Sequence, residues 1–176
     1  SEMCIRDRGK DPELDVHLAK YDIIGSKAHV KMLGEIGLLT SEEVIAIVLG
    51  LEKIDQMIDS ETFEIREGVE DCHSQIEILL TEELGPIGKK IHSGRSRNDQ
   101  VLTALKLFAK SELKEIAVLI KDLFELLMIM SERYKNVLMP GYTHMQIAMP
   151  SSFGLWFAAY AESLLDDLLQ LKSCLL

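Results

Sequence analysis

From Leu14 onward, apolar residues follow one another at three- and four-residue steps: Leu18, Tyr21, Ile24, Ala28, Met32 and Ile36. This spacing predicts a first helix, which Gly34 and Gly37 offer to end. Thr40-x-x-Glu43 reads as a capping box and predicts a second helix to about Asp59. Its buried face is expected to carry Val44, Ile47, Val48, Leu51, Ile54 and Ile58. Residues 60–69 read as a connector. A third helix is expected from Glu70 to Leu84, where Gly85-Pro86 stops it. The longest periodic run extends from about Asp99 to Val137, through Leu105, Phe108, Ile116, Leu123 and Met130. A last helix, capped by Ser151 or Ser152, carries Leu155, Ala159, Leu164, Leu168 and Leu171. No strand pattern stands out, so the predicted fold class is all-α.

The long run implies a helix of roughly 55 Å. That exceeds the core of an ordinary 176-residue globule. It suggests a bundle whose helices also pack against other chains or further segments. Residues 1–12 lack helical period and read as a tail. Residues 13–98 are expected to form an N-terminal helical domain, and 99–176 the start of a bundle domain. The final Lys-Ser-Cys-Leu-Leu ends a helix on apolar residues and reads as a truncation.

Charge narrows the function. Nineteen Lys and Arg against twenty-nine Asp and Glu give a net charge of −10. That argues against nucleic acid or an anionic membrane as a partner. Cys4, Cys72 and Cys174 form no Cys-x-x-Cys pair, so neither a zinc site nor a disulfide framework is suggested. Neither a membrane span nor a signal peptide is apparent, and a cytoplasmic location is expected.

Two polar stretches can carry chemistry. Residues 85–98, GPIGKKIHSGRSRN, concentrate Lys89, Lys90, Arg95 and Arg97 without one acid. Glycines permit close backbone approach, and the adjoining helix N-terminus favours anions. One reading is a polycarboxylate site; the other is a solvated basic turn that offsets neighbouring acids. Residues 140–150, PGYTHMQIAMP, hold Thr143, His144 and Gln146 between two prolines. His144 suits proton transfer near neutral pH; the alternative is a structural loop. The two stretches bracket one long helix, so a site using both needs antiparallel chains in an oligomer.

His92-Ser93-Gly94-Arg95-Ser96-Arg97-Asn98-Asp99-Gln100-Val101 closely resembles the first signature of argininosuccinate lyases, HTGRSRNDQV. Pro140-Gly141-Tyr142-Thr143-His144-Met145-Gln146 resembles the second, PGYTHLQ. Tyr21–His29 resembles the family's YD-x-x-GSKA stretch, and Glu70–His73 its EDVH stretch. The resemblance covers about residues 14–176. It implies an all-helical lyase of the fumarase/aspartase superfamily: a homotetramer whose active sites each draw on three subunits, with no metal or organic cofactor. The implied reaction is β-elimination of argininosuccinate to arginine and fumarate. By motif match, Asn98 and Thr143 bind substrate, Arg97 and Ser96 help hold carboxylates, and Gln146 and His92 are lesser candidates. His144 matches the catalytic histidine, as base, acid or orienter.

Ser93 stands for the usual Thr, Cys72 for Val, and Met149 for a frequent Gln. The third signature, GSS-x-MP-x-K-x-N with its catalytic serine, is absent from the sequence, and family chains are more than twice this length. The sequence therefore reads as an N-terminal portion that is inactive alone. Another lyase of the superfamily, such as adenylosuccinate lyase, and a non-catalytic, crystallin-like structural relative remain the alternatives.

Overall fold

The computed structural model describes residues 11–175. The tail at 1–10, with Cys4, lies outside them. Helix α1 spans Asp11–Glu35, α2 Ser41–Asp59, α3 Cys72–Leu84, α4 Arg97–Tyr134 and α5 Phe153–Leu175. A 3-10 helix, Gly85–His92, follows α3, and two strands, β1 (Leu138–Thr143) and β2 (Gln146–Ser152), separate α4 from α5. The chain divides into two compact units after Phe108, within α4.

In the first unit, α1, α2 and α3 pack against one another, and the 3-10 helix lies on α3. Thr40 caps α2: its hydroxyl accepts from Glu43 N at 3.2 Å, and Glu43 Oε2 accepts from Thr40 N at 3.1 Å. This is the capping box that the sequence predicts. Thr40→Ala is expected to lower stability by about 1 kcal/mol, read as a shifted denaturation midpoint; an unchanged midpoint would show the cap to be idle. Ile47, Leu51 and Ile54 of α2 are buried, with Val44, Val48 and Ile58 packed beside them.

Helix α1 presents a different face from the one its apolar spacing suggests. Ala19, Ile23, Val30 and Leu33 are buried, whereas Ile24, Met32 and Ile36 are exposed. The buried stripe also contains Asp22 and Ser26, polar residues that an apolar periodicity passes over. Asp71 is the N-cap of α3 and accepts from Ser74 N at 2.6 Å. Cys72 is fully buried beside it. Desolvation, followed by nearby carboxylates, pushes its thiol well above the ordinary range, so it remains protonated.

The second unit holds the rest of α4, the hairpin and α5. The absence of strands that the sequence suggests does not hold: β1 and β2 pair antiparallel, with Leu138 opposite Ser152 and Thr143 opposite Gln146. Pro140 and Pro150 face each other, and the register then slips: Gly141 of β1 lies opposite both Ala148 and Met149, so the bulge is in β2. A two-stranded ribbon has only edges, so prolines that would break a central strand are tolerated. Ser152 Oγ accepts from Leu155 N at 3.1 Å and starts α5. Many apolar side chains here face outward, among them Val118, Leu119, Leu126, Ile129, Leu155 and Leu169. Between α4 and α5 runs an apolar groove of about 680 Å³ lined by Ala117, Leu165, Leu168 and Leu171. Among the described residues, no helix is long and apolar enough to cross a membrane.

Candidate active site

The basic stretch is built by close backbone packing. Gly88 lies against the α3 backbone; a Cβ there would come 2.5 Å from Leu80 C and 2.7 Å from Thr81 N. Gly94 then turns the chain at φ 74°, a conformation costly for other residues. Ser96 and Asp99 form a reciprocal cap at the start of α4. Ser96 N donates to Asp99 Oδ2 at 3.0 Å, and Asp99 N to Ser96 Oγ at 3.4 Å.

Most of the cations here face protein rather than water. Lys90 Nζ donates to Glu43 Oε1 at 2.5 Å. That bond, then the Thr40 backbone bond, holds the Glu43 carboxyl below its usual range. Arg95 Nη2 donates to Ser26 Oγ at 2.9 Å, and burial lowers the basicity of this guanidinium. Arg97 Nη1 donates to Gln100 Oε1 at 2.8 Å, and Nη2 reaches Ser74 Oγ at 3.4 Å. Glu77 and Asp71 lie 3.6 and 3.9 Å from the same guanidinium. Lys89 is exposed and lines an open cavity of about 380 Å³ with Ser74, Glu77, Thr81, Glu82 and Arg97. The stretch is thus neither a loose solvated turn nor a ring of free cations. Its arginines are framework, and the exposed groups at its tip are Ser93, Ser96 and Asn98, with His92 half-buried.

Sequence reasoning left one support of this loop unseen. His29 Nε2 lies 2.8 Å from Ser93 O. A carbonyl only accepts, so Nε2 carries the proton. Burial, then Arg95 and His92, lowers the pKa of His29 below its usual value, against the pull of the Ser93 bond. The neutral ring therefore clamps the loop at pH 7. The two residues are 64 apart in sequence, and no local pattern signals the contact. His73 is fully buried. Its Nδ1 lies 3.2 Å from Asp22 Oδ2 but off the line of a hydrogen bond.

In the second unit, Thr143 and Gln146 close the hairpin, and His144 with Met145 forms its two-residue turn. Their φ angles are 49° and 61°, both in the left-handed region that this tight turn demands. Histidine visits that region more readily than methionine. Thr143, His144 and Gln146 are all exposed, and Met145 is 98% exposed. Met145→Gly removes a left-handed penalty of about 1–2 kcal/mol and gives back about 0.5–1 kcal/mol of chain entropy. It is therefore expected to slow amide exchange across β1 and β2; faster exchange would contradict the turn assignment.

The structure gathers His92, Ser96, Arg97 and Asn98 at the start of α4 in the first unit, and Thr143, His144 and Gln146 on the hairpin in the second. Among the described residues, no three or more His, Cys, Asp or Glu side chains are grouped to hold a metal ion.

Residues 8–175 match the family described as Lyase. The chain belongs to the lyase family. Within that lyase family, it is 61% identical over 160 residues to the argininosuccinate lyase of Bacteroides thetaiotaomicron, covering 91% of this chain and 36% of that protein. To the argininosuccinate lyase of Thermotoga neapolitana it is 44% identical over 165 residues, covering 94% and 42%. The chain thus spans little more than a third of the length of the Bacteroides lyases it matches. A variant EDDS lyase with bound fumarate superposes with a TM-score of 0.75 at 26% identity, covering 89% of this chain and 30% of that one. A fumarate lyase:delta crystallin from Brucella melitensis gives 0.76 at 19% identity, covering 90% and 39%, which speaks to the fold alone.

Proposed function

We propose that this chain forms part of an argininosuccinate lyase, which cleaves argininosuccinate to arginine and fumarate in the cytoplasm, in arginine biosynthesis. The observation that carries the proposal is the 61% identity over 160 residues to a named argininosuccinate lyase. The HSGRSRNDQV and PGYTHMQ segments supply the chemistry. In this reading, a base removes a proton from the carbon beside a substrate carboxylate. The electron pair left behind forms the carbon–carbon double bond of fumarate as the carbon–nitrogen bond breaks. A general acid protonates the departing guanidinium nitrogen.

Negative charge builds on the carboxylate, so donors aimed there lower the barrier. Asn98, exposed on the first turn of α4, adds its amide to the backbone N–H groups of that helix end. Ser96 contributes by capping the helix, and Arg97 by its positive potential. His92 lies at the edge of the loop. Thr143 orients a second carboxylate, Gln146 holds the strand beside it, and His144 transfers a proton. The outward-facing apolar residues of α4 and α5 support assembly into a homotetramer in which hairpins and basic loops of different subunits meet.

The test is a hybrid lyase in which the matched 160 residues of the Bacteroides thetaiotaomicron relative are exchanged for those of this chain. Fumarate formation from argininosuccinate, followed by ultraviolet absorbance, is the expected result. Turnover of adenylosuccinate instead would overturn the substrate assignment. Turnover of neither by a correctly assembled hybrid would mark the chain as a non-catalytic relative.

A further inference from the structure

Asp22 is the one acid on the buried stripe of α1, at 2% exposure. Two hydrogen-bonded arms leave it. In the first, Ser26 Oγ donates to Asp22 Oδ1 at 3.2 Å and accepts from Arg95 Nη2 at 2.9 Å. In the second, Gln100 Nε2 donates to both Asp22 oxygens, at 2.8 and 2.9 Å, while Gln100 Oε1 accepts from Arg97 Nη1 at 2.8 Å. Every donor points from a guanidinium toward one carboxylate. The arms end on the two arginines that flank Ser96, the cap of α4, with Asn98 the next residue outward.

We propose that Asp22 is a positioning residue: through Ser26–Arg95 and Gln100–Arg97 it fixes the geometry with which residues 94–98 present Asn98 to substrate. The role rests on the lyase reading above. Ser26 and Gln100 are buried with Asp22, so water does not take over a bond that is lost. The polarity of the second arm is determined at each junction. Gln100 must present its amino group to Asp22 in order to present its oxygen to Arg97. Asp22→Asn is nearly isosteric, yet it puts an NH2 group where Gln100 Nε2 now meets an oxygen: donor faces donor there, or the amide turns and donor faces donor at Arg97. Gln100→Glu alone sets carboxylate against carboxylate. Together the two substitutions restore an acceptor opposite a donor at both junctions.

The experiment measures kcat and KM of the hybrid lyase, its single variants and the pair, at a temperature where circular dichroism shows each to be fully folded. Asp22→Asn is expected to lower kcat/KM by about 10²-fold, the cost of misplacing a binding group by about 1 Å. Gln100→Glu should act similarly, and the pair should recover to within about tenfold of the parent. Ile47→Val, a core change of the first unit, serves as the control: it lowers the melting point and leaves kcat/KM of the folded enzyme unchanged. Should Asp22→Asn fail to fold, Ser26→Ala cuts one arm only and is expected to cost about tenfold.

Single variants that melt earlier but keep kcat/KM within about threefold of the parent would overturn the role and leave a structural one. A pair no better than its singles would overturn the relay. An inactive parent hybrid would instead bring down the lyase reading, and this role with it.

Discussion

His144→Asn in the hybrid lyase should lower the turnover of argininosuccinate by about 10²- to 10⁴-fold, the usual contribution of a positioned proton-transfer group. Asn is the informative replacement here. The residue sits at φ 49° at the tip of a two-residue turn, and Asn tolerates that conformation better than most side chains. The turn, its pairing of Thr143 with Gln146 and the exposure of the site are therefore retained. What disappears is the imidazole. The check is kcat against helix content and assembled mass, both of which should match the parent. Activity within a few-fold of the parent would remove His144 from the proton-transfer steps.

Leu51→Ala should destabilise the first unit by about 2–5 kcal/mol. Leu51 is fully buried on α2, in a cluster with Ile47, Ile54, Ile76 and Leu80. The neighbouring Gly50 shows how little slack exists: a Cβ there would meet Leu80 Cδ2 at 2.7 Å. A helix held from two sides by α1 and α3 cannot close over the missing atoms without moving both, so a cavity remains. The loss is read from the denaturant midpoint of the helical signal. A change below about 1 kcal/mol would mean that this core is far looser than its burial implies.

The same helix shows what a sequence makes legible. Its capping box and its apolar stripe are local, and both were read correctly from residues three and four apart. Helix α3 gives a similar result: it begins at Cys72, two residues after the expected start at Glu70, with Asp71 as its cap. The hairpin was not legible. It lacks the Asn-Gly or Asp-Gly dipeptide that usually announces a two-residue turn, and its prolines look like strand breakers. The buried stripe of α1 was misread because its centre is polar.

The candidate site divides along the same line. Motif matching nominates Asn98, Thr143 and His144, which lie on short segments with distinctive spelling. It did not anticipate that Arg95 and Arg97 turn inward, since their partners Ser26 and Ser74 lie 69 and 23 residues away. Asp22 and Gln100 each fall in a stretch that resembles the family, yet they are 78 residues apart and neither neighbourhood signals that they meet. Such contacts exist only once the helices have packed.

Among the described residues, every member of the main buried cluster lies between Ala19 and Ile91. As the polypeptide leaves the ribosome, this unit can close while α4 is still being translated, in the N-terminal-first order usual for domains. Arg95, Arg97 and Gln100 then emerge next to an α1 already fixed in place. The loop would be seated against finished structure before the hairpin's histidine has been made.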